Sequence, residues 1–220
     1  MTTAHPIEPG RTDDRSPSRV WYASYGSNMH LDRLSYYIKG GRLPGTDAEY
    51  PGCRDRSLPG RSVPVELPGT LYFATRSPVW GGGRAFYDPQ GEGRVLGRAH
   101  LVSVSQFADI AAQEMGKEPG KDLDLAQVLA CGVARLGNGR YETLIHPGQV
   151  DGLPVLTFTA PWGSGDLPVT EPSPAYVRYI ASGLLEAGVW DAGTVAAYVA
   201  SAPGAAGHWT EQAVRELMGQ

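Results

Sequence analysis

The stretch VWYASYGSNMHLDRL, residues 20–34, restricts the fold more than any other part of the chain. Residues 20–25 are apolar and aromatic, a composition that suits a buried strand. The turn at residues 25–28 follows, and apolar residues then recur at roughly helical spacing until Gly40-Gly41. We therefore expect a strand, a corner and a helix in succession.

The corner itself has the composition of a binding loop. The first N–H groups of a helix have no partners within it and can hold an anion. Gly26 permits close approach to the main chain, Ser27 adds a hydroxyl, and Asn28 can cap the helix. The plainer interpretation is an asparagine cap after a glycine turn.

The rest of the chain predicts a mixture of short strands and capped helices. Ser103 and Gln106 form a possible capping box for a helix at 103–115, and Asp151-Gly152 suits a tight hairpin turn. Helix starts are predicted at Ser173-Pro174, Asp191 and Thr210. Further strand-like runs occur at 62–66, 70–74, 84–87, 94–102, 141–145 and 155–159.

Length and charge set the class of protein. At 220 residues one domain is favoured, and 29 Gly with 18 Pro imply many turns. A net charge of -4 without a basic block argues against nucleic acid or an anionic membrane and favours a small-molecule partner. We expect residues 1–18 to be a disordered tail, 19–220 to be the domain, 116–140 to be a surface insertion and 173–220 to be helical. With no signal peptide or membrane span evident, a cytoplasmic location is expected.

The sequence offers no sign of a metal site, a cofactor or a nucleophilic serine. Cys53 and Cys131 are far apart without Cys or His at ligand spacing, which predicts two thiols, no zinc and no disulfide framework. Ser27 lacks the second glycine of a nucleophile elbow, and the five histidines show no pairing with it. Residues 81–83 are all glycine, outside any phosphate-binding motif, and so indicate a turn or main-chain crowding.

One carboxylate falls on the apolar face of the helix predicted at 103–115. Phe107, Ile110 and Ala111 define that face, and the next position along it is Glu114. A buried carboxyl has to find partners or raise its pKa, which is what a general acid/base needs near pH 7. The alternative is that Glu114 ends the helix in solvent or pairs with an arginine.

These residues together resemble the γ-glutamylcyclotransferase-like (AIG2-like) family. The YASYGSNM segment is similar to the family's Y-x-x-Y-G-S-N corner, and AAQEM is similar to its glutamate-bearing helix end. The glycines after Trp80 and the segment PSPAYVRYIASGLLEAGV, with a late glycine, also resemble the family. The resemblance covers roughly residues 20 to 190.

The resemblance implies an α+β fold, a compact mixed β-barrel with packed helices in a single domain. It implies an enzyme, a transferase or lyase, in which the α-amine of a γ-glutamyl amide attacks its own side-chain carbonyl. The products are 5-oxoproline and a released amine or amino acid, and the reaction is metal-independent and uses no cofactor. Carried over by motif, Glu114 is the acid/base, and the substrate is lined by Tyr22, Ala23, Ser24, Tyr25, Gly26, Ser27, Asn28, Tyr141 and Tyr176.

The chain departs from the family pattern near the expected site. Met115 follows the glutamate where glycine is usual, the next tyrosine is Tyr141 after the 116–140 segment, and Phe158 stands where a second tyrosine is expected. These departures leave the substrate open: a γ-glutamyl amine or a biosynthetic intermediate agrees with the sequence as well as a γ-glutamyl amino acid does. A binding or regulatory module without catalysis is the alternative function, and the sequence indicates no oligomeric state.

Overall fold

Ten strands form within residues 3–10 and 16–219, the part of the chain that the structure, a computed structural model, describes. All seven predicted strands are present, with ends displaced by a few residues. The strands are β1 (Arg19–Ser24), β2 (Gly41–Arg42), β3 (Glu49–Tyr50), β4 (Ser62–Pro68), β5 (Thr70–Arg76), β6 (Gly83–Asp88), β7 (Arg94–Ser103), β8 (Val133–Arg135), β9 (Thr143–Val150) and β10 (Leu153–Thr159).

Six of these strands make one mixed sheet in the order β4-β7-β1-β10-β9-β8. β1 lies inside the sheet, antiparallel to β7 and parallel to β10. β5 and β6 form a separate hairpin, as do β2 and β3. The α+β class is confirmed. The expected barrel is corrected, because within the described residues the outer strands β4 and β8 do not pair and the sheet stays open.

Local turn and cap residues account for most element ends. The β9–β10 hairpin turns at Asp151 and Gly152, both with positive φ, as predicted. Ser103 and Gln106 form the predicted reciprocal capping box. Ser173, Asp191 and Thr210 each cap a helix with a side-chain oxygen, also as predicted. The helices are α1 (Leu31–Lys39), α2 (Val104–Glu114), α3 (Ala126–Cys131), α4 (Pro174–Glu186), α5 (Ala192–Ser201) and α6 (Glu211–Met218).

Two hydrophobic clusters cover the two faces of the sheet. Because side chains alternate along a strand, β1 sends Trp21 and Ala23 to one cluster and Val20 and Tyr22 to the other. The first cluster includes apolar residues of α4, α5 and α6, and the second includes those of α1, α2 and α3. β1 is therefore buried on both faces, and its carboxyl end lies between the two layers of helices.

The start of the chain differs from expectation where it is described. In residues 3–10, the His5 N–H donates to Pro64 O, and Glu8 and Gln149 exchange two main-chain hydrogen bonds. Ile7 packs against the first hydrophobic cluster. The predicted disorder is therefore corrected for residues 3–10, while residues 1, 2 and 11–15 of the predicted tail lie outside the described residues, as does residue 220 of the predicted domain.

The segment 116–140 is more than a surface insertion. It contributes α3, whose Val128 and Leu129 are buried in the second cluster, and β8, which extends the sheet beside β9. The prediction is corrected, because the short apolar run in this segment fills a space on the sheet rather than passing over it.

The triple glycine at 81–83 permits close contact between two main chains. A side chain at Gly83 would overlap Thr170, and one at Gly82 would meet the main chain of residues 171–173. The Gly83 N–H donates to Glu171 O at 2.7 Å. The predicted crowding is confirmed, and it brings the start of α4 against the start of β6.

None of the helices formed by the described residues has the length and hydrophobicity needed to cross a lipid bilayer.

Candidate active site

The corner after β1 is built from a short 3-10 helix, Ser27–Met29, that precedes α1. The Met29 N–H donates to Gly26 O at 3.1 Å, and the His30 N–H donates to Ser27 O at 3.2 Å. The main-chain N–H groups of Ser27 and Asn28 have no acceptor within the described residues. The corner therefore offers donors of the kind that the sequence predicted.

Asn28 has a different role from the predicted helix cap. The N-cap of α1 is His30, without a side-chain cap. Asn28 Nδ2 instead donates to Glu114 Oε1 at 2.9 Å and lies 3.3 Å from the Tyr22 hydroxyl. Its Oδ1 is buried and has no hydrogen-bond partner within the described residues. The cap prediction is wrong, since the carboxamide connects the corner to the end of α2.

Glu114 is the last residue of α2 and lies on the helix face that the sequence identified. Phe107, Ile110 and Ala111 of that face are buried in the second cluster, so the carboxyl one turn further on is held beside the corner. Burial raises the pKa of Glu114, and this effect outweighs the hydrogen bonds from Tyr37 and Asn28 and the nearby charge of Arg33. The carboxyl therefore holds its proton more strongly than an exposed glutamate does.

A buried, neutral histidine is hydrogen-bonded to the main chain of the corner. His100 of β7 is completely buried, with Nε2 3.1 Å from Asn28 O and Nδ1 2.8 Å from Ser62 Oγ. Burial lowers the pKa of His100 to about 3, with a smaller contribution from Arg98. Because a carbonyl only accepts, Nε2 carries the proton and donates to Asn28, and Nδ1 accepts from the Ser62 hydroxyl.

Tyrosines form much of the remaining wall. The Tyr25 hydroxyl donates to Phe158 O at 2.8 Å, the Tyr141 hydroxyl donates to Ala85 O at 3.0 Å, and the Ala85 N–H donates to the Tyr176 hydroxyl at 3.3 Å. Burial raises the pKa of all three tyrosines, so their hydroxyls stay protonated. Tyr141 has φ 64, a left-handed conformation that costs on the order of 1–3 kcal/mol and is typical of functional sites.

These groups enclose a cavity of about 270 Å³, large enough for a small amino-acid derivative. All but one of the predicted site residues line it. Ala23 does not, because strand alternation turns its methyl group into the first hydrophobic cluster, and that prediction is corrected. The predicted residues that line the cavity are Tyr22, Ser24, Tyr25, Gly26, Ser27, Asn28, Glu114, Tyr141 and Tyr176.

Several lining residues were not predicted from the sequence. Arg33 and Tyr37 lie one turn apart on the buried side of α1, Tyr50 belongs to β3, and Trp80 precedes the triple glycine. Arg33 could have been found by the pattern that identified Glu114, because it is also a charged residue at a buried position of a helix. Phe158 stacks on Tyr22 with ring centroids 5.3 Å apart, so it lines the cavity without supplying the hydroxyl of the expected tyrosine.

Neither a cluster of metal ligands nor a thiol is found in the cavity wall formed by the described residues. Within the described residues, no group of three or more His, Cys, Asp or Glu side chains could hold a metal ion. Cys53 and Cys131 are not joined by a disulfide, and burial raises the pKa of the Cys53 thiol to about 12. Neither thiol lines the cavity.

Part of a plant protein is similar to this chain in sequence. No protein-family model matches this chain. Histone deacetylase 5 of Arabidopsis thaliana is 32% identical over 209 residues, which cover 84% of this chain and 31% of that protein. The chain thus spans less than a third of the curated relative it matches.

Solved structures give more distant similarities. An uncharacterised human protein aligns with TM-score 0.47 and 17% identity, over 78% of this chain and 82% of that one. A γ-glutamyl cyclotransferase aligns with TM-score 0.45 and 16% identity, over 77% of this chain and 80% of that one. YkqA of Bacillus subtilis aligns with TM-score 0.48 and 15% identity, over 86% of this chain and 57% of that one. Because the three TM-scores are below 0.5, the chemistry of this chain has to be inferred from its own cavity.

Proposed function

We propose that this chain is a γ-glutamylcyclotransferase-like enzyme that converts a γ-glutamyl amide into 5-oxoproline and a free amine or amino acid. One observation carries the proposal. Glu114, a carboxyl of raised pKa, lines a cavity of substrate size and is hydrogen-bonded to Asn28 of the corner. The Y-G-S-N and glutamate motifs, which resemble that family, both contribute to the lining of this cavity.

The reaction needs a group that takes up a proton and returns it. The substrate's α-ammonium, with a pKa of about 8, must first lose a proton to water before its nitrogen can attack. As the new C–N bond forms, Glu114 takes a proton from the attacking nitrogen. As the old amide C–N bond breaks, Glu114 gives that proton to the departing nitrogen. Such general acid/base catalysis contributes about 10²–10⁴-fold.

The cavity also has to hold the γ-glutamyl group in the folded-back shape that closes a five-membered ring. Well-oriented intramolecular attack is worth roughly 7–11 kcal/mol. Asn28 Oδ1, a buried acceptor without a partner within the described residues, suits the α-amine beside Glu114.

Charge that develops on the γ-oxygen during attack calls for donors. The N–H groups of Ser27 and Asn28, which have no acceptor within the described residues, are suited to this task. Loss of one such donor typically costs about 2.7–4 kcal/mol in other enzymes. The same groups are also suited to the substrate's α-carboxylate.

Replacement of Glu114 by Gln tests the mechanism. The Gln side chain keeps the size of Glu and can still accept from Asn28, but it cannot exchange a proton. We expect Glu114→Gln to fold and to bind γ-glutamyl compounds, while 5-oxoproline release falls about 10²–10⁴-fold. Mass spectrometry of the products from γ-glutamyl amino acids and γ-glutamyl amines measures this, with the exposed Glu118→Gln as the matched control.

The same measurement separates the alternatives. Undiminished 5-oxoproline formation by Glu114→Gln would remove the acid/base role. A wild-type protein that is thermally stabilised by γ-glutamyl compounds and never consumes them would instead be a binding module, the reading that Phe158 favours. Release of free glutamate in place of 5-oxoproline would indicate hydrolysis.

A further inference from the structure

Arg33 is a buried cation for which the fold supplies few hydrogen-bond partners. It is 2% exposed, yet it lines the cavity. Its Nη2 donates to the Tyr50 hydroxyl, whereas Nε and Nη1 have no partner within the described residues. A buried charge whose donors stay unsatisfied is costly, so such groups are usually paired.

The surroundings of Arg33 keep it charged without pairing it. Its guanidinium lies 4.7 Å from the Tyr37 ring centroid, 4.6 Å from that of Tyr50 and 5.6 Å from that of Trp80. Burial opposes its charge, but Tyr37, Tyr50 and Glu114 outweigh burial and raise the pKa of Arg33. The aromatic rings hold the guanidinium in place, while two of its nitrogens are buried without a hydrogen-bond partner within the described residues.

The charges of the cavity favour an anionic occupant. Arg33, Arg84 and Arg140 line it, against the carboxylates of Glu49 and Glu114. Glu49 already pairs with the exposed Arg42 at 3.7 Å, and the three guanidinium groups outnumber the two carboxylates. The cavity therefore carries an excess of positive charge that a bound carboxylate would neutralise.

We propose that Arg33 binds a carboxylate of the molecule that occupies this cavity. The positive charge of the guanidinium favours a carboxylate over any neutral group, and Nε and Nη1 lack other acceptors within the described residues. The identity of that molecule as a γ-glutamyl compound rests on the proposed function. On that basis Arg33 is the residue by which the enzyme selects substrates according to their charged carboxyl groups.

Three ligands that differ by one group at a time test the role of Arg33. They are γ-glutamylalanine with two carboxylates, γ-glutamylethylamide with one, and the α-carboxamide of γ-glutamylethylamide with none. Binding is measured by calorimetry with Glu114→Gln protein, which does not consume them. Arg33→Met is compared with Arg33→Lys, and Arg94→Met removes an exposed arginine as the control.

We expect Arg33→Met to weaken binding by about 10- to 100-fold for γ-glutamylalanine, with partial recovery in Arg33→Lys and no weakening for the ligand that has no carboxylate. An equal loss for γ-glutamylethylamide would assign the α-carboxylate to Arg33, and a loss confined to γ-glutamylalanine would assign the second carboxylate. Equal weakening of binding for all three ligands would indicate a structural role for Arg33 and would overturn the proposal. The proposal would also be overturned if Arg33→Met bound γ-glutamylalanine as tightly as the parent protein does, or if the parent protein bound none of the ligands. Because binding is read without turnover, failure of the cyclisation chemistry is detected separately.

Discussion

Asn28 and Glu114 are 86 residues apart in sequence, yet Asn28 Nδ2 lies 2.9 Å from Glu114 Oε1. The bond favours the ionised carboxyl, and burial favours the neutral one. These two effects oppose each other, and because burial has the larger effect the pKa of Glu114 is raised. A carboxyl in this position exchanges protons more readily at neutral pH than an exposed glutamate does.

Replacement of Asn28 tests this balance. In Asn28→Ala the carboxylate loses a donor, so the pKa of Glu114 rises further. The ascending limb of the pH dependence of kcat/KM is therefore expected to move to higher pH, and kcat to fall about 10-fold. Steady-state kinetics between pH 5 and pH 9 measure both. Gln212→Ala, which removes an exposed carboxamide on α6, is the control, and an unshifted limb would contradict the expectation.

Among the elements, α4 has the closest packing against the corner. Gly183 faces the 3-10 helix, where an added Cβ would lie 2.7 Å from His30 N and 2.9 Å from Met29 C. Those atoms are main chain and cannot turn aside as a flexible side chain could. The late glycine of the S-P-x-Y helix therefore lets α4 approach the loop that carries Ser27 and Asn28.

Gly183→Ala is expected to be destabilising in spite of the better helix propensity of alanine. To admit the methyl group, α4 and the corner must separate, which costs about 1–3 kcal/mol in the free energy of unfolding. Urea denaturation followed by circular dichroism measures the loss. Gly193→Ala in α5 is the matched control, because its closest contact there is Asp191 Oδ1 at 3.2 Å. If both variants lost the same stability, close packing at Gly183 would not be the cause.

At the scale of the whole molecule, the sheet and the corner meet at His100. Its imidazole joins Ser62 of β4 to Asn28 of the corner through β7, in a position with no exposure to solvent. Protonation of Nδ1 would reverse the hydrogen bond with Ser62 and would bury a positive charge near Arg98. The folded state therefore admits His100 only in the neutral form.

This restriction predicts a sensitivity to acid. Between the ordinary histidine pKa of 6.5 and about 3, the unfolded chain binds a proton at His100 that the folded chain does not. The free energy of unfolding therefore falls as the pH falls, by up to about 1.4 kcal/mol per pH unit from this group. His100→Asn removes that contribution, so the stability difference between wild type and variant should narrow from pH 7 to pH 5. Urea denaturation at both pH values tests this with His208→Asn, at an exposed site, as the control; a constant difference would contradict it.

The sequence by itself determined the features that depend on neighbouring residues. The strand, corner and helix order, the caps at Ser103, Ser173 and Asp191, and the Asp151 turn follow from local main-chain conformation, and the structure contains them. Glu114 was recognisable for the same reason, because helical periodicity shows which residues share a face.

Only the tertiary structure decided what those residues meet. Asn28 had the composition of a cap, but its carboxamide reaches Glu114 because β1 and α2 pack side by side. Ala23 fell within the motif, but β1 is buried on both faces and alternation turns this residue away from the cavity. Arg33 joins the cavity through packing of α1 against β3 and the loop at Trp80. These contacts join segments that are far apart in the chain, and no local sequence pattern determines the distance between such segments.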